Sequence, residues 1–524
     1  MPTIVCRRLT YGYDGSEDNV FTDLDLVIDT TWRTALVGRN GRGKTTLLRL
    51  IDAQLTADKG AIEGRPATYY FPRGPEQTAE SARTVAKDAV GPFRAWEREM
   101  EDLLDAGDEV SLQRYGVLLE RYQQADGYQV ESNLERELAK LGLDEALWSR
   151  PFASLSGGEQ TRFLLAGLFV NDDGYPLIDE PTNHLDLSGR AMLAEYLSEK
   201  PGFLLVSHDR TFLDACIDHV VALNPDSVEV QRTSFSRWRR RFLDRIEAQA
   251  AKNVQLKGEI AALEATAQQR RTGAMKREAT KTTHVDKGFI GARARRQMKR
   301  AIAAEQRAEK AAQARKSTMV DVEKKHALKL GNAKRQPKSI VTANELTVIR
   351  DRQLFTPVSF QIEPGDRLAI VGGNGSGKTS LMDFIAGANY AHTGAFVRPA
   401  HITLARAYQF PIWTSGSLRD HLQGSGIDES RFRQIMAVLG VRGVQLELPL
   451  ESFSHGQLKK VDLARSFLTP ADLLLWDEPL NFIDIDAREQ IEAVLLQDQP
   501  TVAFIEHDAT FIDKVATKSV QLLR

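Results

Sequence analysis

Apolar and polar residues alternate in two different ways along the chain, one in its outer parts and one in its middle. In the outer parts, short apolar runs such as residues 34–37 and 368–371 predict buried strands, each followed by a helical pattern. In the middle, apolar residues recur at three- and four-residue steps from 242 to 271 without a proline, which predicts a helix. Small residues from 294 to 311 predict a second helix, and the glycine-containing segment 272–291 predicts a turn. The middle is therefore typical of a helical hairpin.

The charge of this middle segment differs from that of the rest of the chain. Residues 237–338 contain 28 Lys and Arg against 10 Asp and Glu, although the whole chain has a net charge of −2. The outer parts are therefore acidic. Because clustered positive charge repels itself, this pattern favours a polyanionic partner, while a solvated helix pair is the simpler alternative.

Length and composition indicate a multidomain globular protein. At about 150 residues for each domain, 524 residues predict three or four units, and 42% hydrophobic residues suffice for their cores. With only Cys6 and Cys216, the chain has no disulfide scaffold or cysteine-ligated iron–sulfur domain, which is typical of a reducing compartment. No apolar run approaches about 18 residues, and the amino terminus has no signal-peptide core. We therefore expect a cytoplasmic protein.

A glycine-rich loop follows the first predicted strand. Residues 38–45 have the sequence GRNGRGKT and lead into a helical pattern, which is a P-loop in its expected context. Backbone N–H groups at such a helix amino terminus bind phosphate oxygens. We expect Lys44 to contact the β- and γ-phosphates and the Thr45 hydroxyl to hold Mg²⁺.

The chain repeats itself. The P-loop returns at residues 372–379 as GGNGSGKT, again after an apolar strand. Three further motifs also occur twice in the same order: residues 155–160 with 453–457, 177–181 with 475–479, and 207–209 with 506–508. This matched order indicates an internal duplication.

Both halves resemble ATP-binding cassette (ABC) domains, with a P-loop, signature sequence, Walker B motif and switch histidine. Two such domains joined by a long basic helical segment resemble the ABC-F family of ribosome-associated ATPases. Residues 150–159, 176–184 and 476–482 resemble its antibiotic-resistance branch, which protects ribosomes from lincosamides, streptogramin A and pleuromutilins.

The resemblance implies an α/β fold class with two ABC-type P-loop ATPase domains joined by an α-helical antiparallel hairpin linker. The expected domains are residues 1–237, the linker 238–338, and residues 339–524. The first half has about 36 extra residues between its P-loop and signature, with helical apolar spacing. This insertion, at about 90–130, matches the ribosome-contacting arm of ABC-F proteins, with a peripheral helical insertion as the alternative.

The resemblance also implies two composite ATP sites, because ABC domains pack head to tail and each nucleotide lies between one P-loop and the opposite signature. The implied ATP-binding residues are Tyr13, Gly38, Arg39, Asn40, Gly41, Arg42, Gly43, Lys44, Thr45, Thr46, Gly372, Gly373, Asn374, Gly375, Ser376, Gly377, Lys378, Thr379 and Ser380, with signature residues Ser156, Gly157, Gly158, Glu159, Ser454, His455, Gly456 and Gln457. Tyr13 would stack on adenine, with a packing role as the alternative.

The adjacent carboxylates after each apolar strand are the candidates for catalysis. The implied Mg²⁺ ligands are Thr45, Asp179, Thr379 and Asp477. We expect Glu180 and Glu478 to polarise the attacking water, and His208 and His507 to contact the γ-phosphate. A solvated turn is the alternative for each carboxylate pair.

Several positions depart from the family pattern. The glutamine expected after the strand beyond the P-loop helix is displaced in both halves, to Gln77 and Gln409, which leaves its contact with Mg²⁺ open. Arg350 lies where an aromatic residue would match Tyr13, and either stacking by its guanidinium or solvent exposure is expected there. His455 replaces a signature glycine. We therefore expect unequal sites.

These patterns predict a cytoplasmic, ribosome-associated ATPase. With two ATP molecules bound, a monomer would close its two cassettes and insert its basic hairpin into 23S rRNA beside tRNA, near the exit and peptidyl-transferase sites. The leading hypothesis is that the protein displaces a drug from the peptidyl-transferase region. The second is that it acts as a housekeeping translation factor that adjusts tRNA position. The ATPase component of a drug exporter is the third reading, disfavoured because an exporter needs no such basic segment; no membrane partner is expected.

Overall fold

A computed structural model describes residues 3–15, 19–72, 79–170, 174–183, 185–224, 227–279, 303, 310, 339–441 and 443–524. The chain divides into two compact units. Met1–Ser236 together with His326–Arg524 form one unit, and Arg237–Lys325 form the other.

The first half of the chain alternates strands and helices. Its strands are β1 (Thr3–Tyr11), β2 (Phe21–Asp29), β3 (Arg33–Val37), β4 (Lys59–Glu63), β5 (Ala67–Phe71), β6 (Gly174–Asp179), β7 (Phe203–Val206), β8 (His219–Leu223) and β9 (Val228–Arg232). Its helices are α1 (Lys44–Ile51), α2 (Ala82–Val90), α3 (Phe93–Ala106), α4 (Glu109–Gln124), α5 (Val130–Lys140), α6 (Glu145–Trp148), α7 (Gly157–Leu168), α8 (Leu187–Ser198) and α9 (Arg210–Cys216).

The central sheet of this half places the motif-bearing strands side by side. Its strand order is β5-β6-β7-β3-β8-β9, with parallel pairing except between β8 and β9. Strands β7 and β8 are buried along their whole length, as expected for parallel strands covered on both faces. Strands β2, β1 and β4 form a separate antiparallel sheet. The carboxyl ends of β3 and β6 thus lie at one edge, where ligands bind in such sheets.

The second half repeats this architecture. Its strands are β10 (Val341–Ile349), β11 (Val358–Ile362), β12 (Arg367–Gly372), β13 (Ala391–Val397), β14 (Leu404–Ala407), β15 (Leu473–Asp477), β16 (Val502–Ile505) and β17 (Lys518–Leu522). Its helices are α11 (Lys378–Ala386), α12 (Leu418–Ser425), α13 (Glu429–Val438), α14 (His455–Leu468), α15 (Ile485–Asp498) and α16 (Ala509–Val515). The sheets are ordered β14-β15-β16-β12-β17 and β11-β10-β13. The predicted α/β class is confirmed.

Helices α3 and α4 occupy the segment that is inserted in the first half. Gly107 ends α3 in the left-handed region, and the Asp108 carboxylate caps α4 by accepting from the backbone N–H of Ser111 at 2.9 Å. Their contact buries Phe93 and Tyr122, and the Tyr122 hydroxyl donates to a Glu97 oxygen at 2.7 Å. The insertion therefore has its own small core.

The long helix α10, Phe235–Ala279, contains 45 residues. It begins seven residues before the predicted start at 242 and continues past 271, so the turn predicted to begin at Thr272 is wrong for 272–279. Gly273 lies within the helix, where a glycine costs only about 1 kcal/mol relative to alanine. The rest of the predicted turn and the second helix lie outside the described residues, apart from positions 303 and 310. Within the described part of the chain, no helix is both long and apolar enough to span a membrane.

Candidate active sites

The first P-loop closes around a lysine. Gly43 precedes α1 with φ +81°, and a Cβ atom there would lie 2.6 Å from the Phe21 ring, so only glycine suits this position. The Lys44 ammonium donates to the carbonyl oxygens of Gly38 at 2.8 Å and Arg39 at 3.3 Å. Burial lowers the pKa of Lys44. The loop thus presents a buried cation beside the amino terminus of α1.

The second P-loop has the same geometry. Gly377 precedes α11 with φ +92°, and the Lys378 ammonium donates to Gly372 O at 2.8 Å and Gly373 O at 3.0 Å. The Ser376 hydroxyl is buried, and no described residue forms a hydrogen bond with it. The other predicted phosphate-binding residues lie on these two loops or in the first turn of α1 and α11: Asn40, Gly41, Arg42, Thr46, Asn374, Gly375 and Ser380.

A threonine and an aspartate meet at each site. The Thr45 hydroxyl donates to Asp179 Oδ2 at 2.7 Å, and Thr379 hydrogen-bonds Asp477. Asp477 Oδ1 is buried with no hydrogen-bond partner among the residues that the structure describes, and burial together with Glu478 raises the pKa of Asp477 to about 6. Burial also raises the pKa of Asp179. These donors are all oxygen atoms, which suits Mg²⁺, and the unpaired Asp477 oxygen is available to bind it.

The two glutamates after these aspartates share an unusual backbone conformation. Glu180 has φ +51° and Glu478 has φ +47°. Such left-handed torsions cost a residue with a side chain roughly 1–2 kcal/mol. Each is fixed by the next strand, because Glu180 N donates to Val206 O at 2.8 Å and Glu478 N to Ile505 O at 3.0 Å. The same strained backbone torsion thus occurs at both candidate glutamates, as is common at functional sites.

Each glutamate faces the histidine of its own half. His208 Nε2 lies 3.4 Å from Glu180 Oε1, and His507 Nε2 lies 3.8 Å from Glu478 Oε1. Burial lowers the pKa of His507 to about 3 and that of His208 well below its ordinary range, so both imidazoles are neutral at pH 7. Burial of its carboxyl, with Asp179 as the second cause, raises the pKa of Glu180 to about 8.

Two contacts beside Glu478 have no signal in the sequence. Gln409 is displaced along the sequence and its contact with Mg²⁺ stays open, but its side-chain N–H donates to Glu478 Oε2 at 3.3 Å. Asn481 donates to the same oxygen at 2.5 Å. The buried Lys459 ammonium donates to the carbonyl oxygens of Gln409 and Asp477, each at 3.1 Å. Gln77 of the first half lies outside the described residues.

The two positions considered for adenine differ. The Tyr13 side chain is 44% exposed, and its hydroxyl lies 2.9 Å from Oγ1 of Thr46 in the first turn of the P-loop helix. The Arg350 guanidinium lies 4.9 Å from the centroid of the Tyr390 ring. Arg350 is thus exposed, as one of the two expectations had it, while its guanidinium stacks on the ring of Tyr390.

The signature sequences begin helices. Ser156 caps α7 in a capping box with Glu159, and Ser454 caps α14 in a capping box with Gln457. The Ser156 hydroxyl donates to Glu159 Oε2 at 2.7 Å. The remaining signature residues Gly157, Gly158, His455 and Gly456 lie in the first turns of α7 and α14. Both helices thus direct backbone N–H groups outward from an exposed amino terminus.

The two halves contact each other through reciprocal loops. Asn40 of the first P-loop donates from Nδ2 to Phe482 O at 3.4 Å, and Asn374 of the second P-loop donates its backbone N–H to Asp186 Oδ2 at 3.0 Å. A Cβ atom on Gly456 would lie 2.6 Å from Phe482 O and 3.7 Å from Asn40 Nδ2. The second signature therefore lies beside the first P-loop, and the segment after each Walker B glutamate reaches the opposite P-loop.

A family model described as "ABC transporter" matches residues 21–183 and 355–481, together more than half of the chain. The chain is 28% identical to the putative ATP-binding protein YdiF of Bacillus subtilis, over 96% of this chain and 78% of that protein. It is 25% identical to ABC transporter F family member 2 of Arabidopsis thaliana, over 96% and 75% of the two chains. It is 27% identical to the energy-dependent translational throttle protein EttA of Mycobacterium tuberculosis, over 95% and 88%.

A solved structure has the same fold. It is the complex of archaeal ribosomal stalk protein aP1 with the archaeal ribosome recycling factor aABCE1, with a TM-score of 0.55, 18% identity, and coverage of 98% of this chain and 87% of that chain. The predicted fold of two ABC ATPase domains is therefore confirmed.

Proposed function

Since this chain belongs to the ABC transporter family, as an ATPase of the ABC-F type, we propose that it couples ATP binding at two composite sites to binding of the ribosome. The observation that carries this proposal is the reciprocal contact of the halves. The first P-loop faces Phe482 and Gly456, while the second faces Asp186. A nucleotide bound at either P-loop would therefore lie close to residues of the opposite half.

The nucleotide would be held by the residues that line these loops. The phosphates would be bound by the backbone of both P-loops with Lys44 and Lys378, and Mg²⁺ by Thr45 with Asp179 and by Thr379 with Asp477. When bound, Mg²⁺ neutralises phosphate charge. Tyr13, whose exposed ring is anchored through Thr46, would stack on the base at the first site.

Hydrolysis at each site would depend on the glutamate in the left-handed conformation. Glu180 and Glu478 would orient and polarise the attacking water, since each lies directly after its metal-binding aspartate. His208 and His507 are neutral, so each can donate from one ring nitrogen to a phosphate oxygen while remaining uncharged. Gln409 and Asn481 would hold the Glu478 carboxylate in place.

A basic helix supports the ribosome as the partner. The exposed basic residues of α10 include Arg237, Arg240, Arg241, Lys252 and Lys257. Helical arginine and lysine side chains of this kind bind RNA phosphates in a salt-dependent way. The similar proteins support this partner, because EttA is a translational throttle protein and aABCE1 a ribosome recycling factor.

The first experiment traps the ATP-bound state. Changing Glu180 and Glu478 together to Gln should preserve ATP binding, abolish turnover and retain the protein on ribosomes in ATP during cosedimentation. The matched control is Glu345→Gln, because Glu345 is an exposed glutamate that also has a left-handed φ, +47°, outside both sites. Turnover in the double variant at the parental rate would refute the catalytic assignment.

The second experiment tests the basic helix. Reversing Arg240 and Arg241 to Glu should weaken ribosome binding and reduce the slope of log affinity against log salt concentration by roughly one for each lost phosphate contact. Arg431→Glu, an exposed reversal on α13, is the control. Equal salt slopes for the parent and the α10 variant would contradict RNA binding by this surface.

Two cellular outputs are candidates. Protection of the ribosome from peptidyl-transferase antibiotics is supported by the resemblance of residues 150–159, 176–184 and 476–482 to the resistance branch. A housekeeping role in translation is supported by the similarity to EttA. Expression in a susceptible host distinguishes them: protection predicts a higher inhibitory concentration for lincosamides, streptogramin A or pleuromutilins, whereas unchanged susceptibility to all three leaves the housekeeping role.

A further inference from the structure

The segments that follow the two switch histidines meet each other. Thr211 Oγ1 lies 2.9 Å from Thr510 Oγ1, and each threonine is three residues after its own histidine, His208 or His507. Equivalent residues in contact place this pair on the approximate two-fold axis that relates the halves. The two switch segments are therefore in direct contact.

Arg210, beside this axis, breaks the symmetry. Its guanidinium hydrogen-bonds the Glu492 carboxylate on α15 and lies 3.6 Å from Asp508 Oδ2, both in the second half. All three side chains are buried. The repeat places Ala509 at the position equivalent to Arg210 and Ala194 at the position equivalent to Glu492, so the two-fold-related contact has no charged side chains at these positions. In this buried ion pair the first half thus supplies the cation and the second half the carboxylates, without a symmetry-related counterpart at the equivalent positions.

This ion pair is not needed to neutralise either switch segment. Arg190 donates to Asp209 at 2.8 Å, and Arg488 donates to Asp508 at 3.0 Å, each within its own half. Asp508 therefore has a cation before Arg210 reaches it. Because burying an extra charged pair carries a large desolvation penalty, stability alone explains this contact poorly.

We propose that Arg210 is a positioning residue that couples the two ATP sites, an inference that rests on the proposed composite sites. Arg210 lies two residues after His208 of the first site and contacts Asp508, the residue next to His507 of the second. A displacement of the His208 segment on nucleotide binding moves Arg210, and with it Asp508 and His507. The coupling acts on the rates of hydrolysis, for which reciprocity is not required, and the residues that carry it exist on one side only.

The test compares the turnover number kcat for ATP hydrolysis in four proteins: the parent, Glu180→Gln, Arg210→Met, and the two combined. Two independent sites predict that Glu180→Gln lowers kcat by the same factor in the parent and in the Arg210→Met background, because only the first site's share is lost in each. Coupling predicts that the factor in the parent is about five-fold or more larger than the factor in the Arg210→Met background. The KM for ATP should not change in Arg210→Met, because this residue contacts neither P-loop in the described residues.

Matched variants separate coupling from a structural role. Lys514→Met removes another partner of Glu492, a half-exposed lysine of the second half at 3.2 Å, and should preserve the large effect of Glu180→Gln. Arg210→Lys keeps the charge and should restore part of the coupling. Glu492→Ala introduces the residue that the first half has at the equivalent position, and it should abolish the coupling as Arg210→Met does. It provides the test if Arg210→Met fails to fold.

Two outcomes decide the inference. An effect of Glu180→Gln that is large in the parent and becomes smaller only when Arg210 or Glu492 is changed supports it. An effect of the same size in the parent and in the Arg210→Met background overturns it. Failure of the proposed sites is distinguishable, because hydrolysis would then persist in the Glu180→Gln, Glu478→Gln protein, and ribosome binding does not enter these measurements.

Discussion

Glu506 should make the stability of the second half depend on pH near neutrality. It replaces the serine that stands at position 207 in the first half, is buried, and accepts backbone N–H groups from Leu480 at 2.7 Å and His507 at 2.9 Å. Burial raises the pKa of Glu506 from 4.5 to about 7, against the opposing charge of Arg488.

The sign follows from linkage. A carboxyl whose pKa is higher in the folded state stabilises that state fully below pH 4.5, and the contribution is lost as pH rises through about 7. Gln does not titrate and keeps an acceptor oxygen. At about 1.4 kcal/mol for each pH unit, the unfolding free energy of Glu506→Gln minus that of the parent should rise by about 3 kcal/mol between pH 4.5 and pH 7, then level off.

The measurement is the midpoint of thermal unfolding for both proteins from pH 4.5 to pH 8. At roughly 2–4 °C per kcal/mol for domains of this size, the difference between midpoints should change by about 6–12 °C. Glu137→Gln is the control, and its midpoint difference should stay nearly constant over this range. Although burial opposes it, hydrogen bonds from Lys200 and Tyr196 lower the pKa of Glu137 from 4.5, so its contribution is lost only as pH falls below this range. A flat difference for Glu506→Gln across this range would refute the reasoning.

Three further predictions concern the sites. Gly43→Ala should lose ATP binding and lower the unfolding midpoint, because its Cβ would meet the Phe21 ring at 2.6 Å; Gly41→Ala, equally left-handed but in open space, should lose less in both assays. Tyr13→Ala should weaken ATP binding by about five-fold in a titration, while Tyr13→Phe keeps the affinity. His455→Gly should narrow the difference in single-turnover rates between the sites, and equal rates in the parent would remove the asymmetry on which this rests.

The strands, the P-loops and the two-fold repeat could be predicted from the sequence because their signals are local. An apolar run followed by a glycine-rich loop and a helical pattern specifies β3 with α1, and again β12 with α11, whatever surrounds them. The left-handed torsion of Glu180 and Glu478 had no such signal. It is imposed by hydrogen bonds to β7 and β16, strands that are distant in sequence.

Residue spacing alone does not predict the structure at two positions, Gln409 and Gly273. Gln409 is displaced from its expected position, but the loop after β14 returns its side chain to Glu478. Gly273 indicated the start of a turn, yet α10 continues through it because the flanking alanine, methionine and lysine residues favour helix. For Gln409 the path of the loop determines the contact, and for Gly273 the neighbouring helix-forming residues outweigh the effect of one glycine.

The unbroken length of α10 has a mechanical consequence. A helix of 45 residues at 1.5 Å per residue is a stiff lever about 68 Å long. A turn of only about 5° at one end of such a lever moves the other end by about 6 Å, whereas a flexible hinge at Gly273 would absorb that motion. Angular changes too small to rearrange a protein core can therefore become displacements as large as a nucleotide at the far end of this helix.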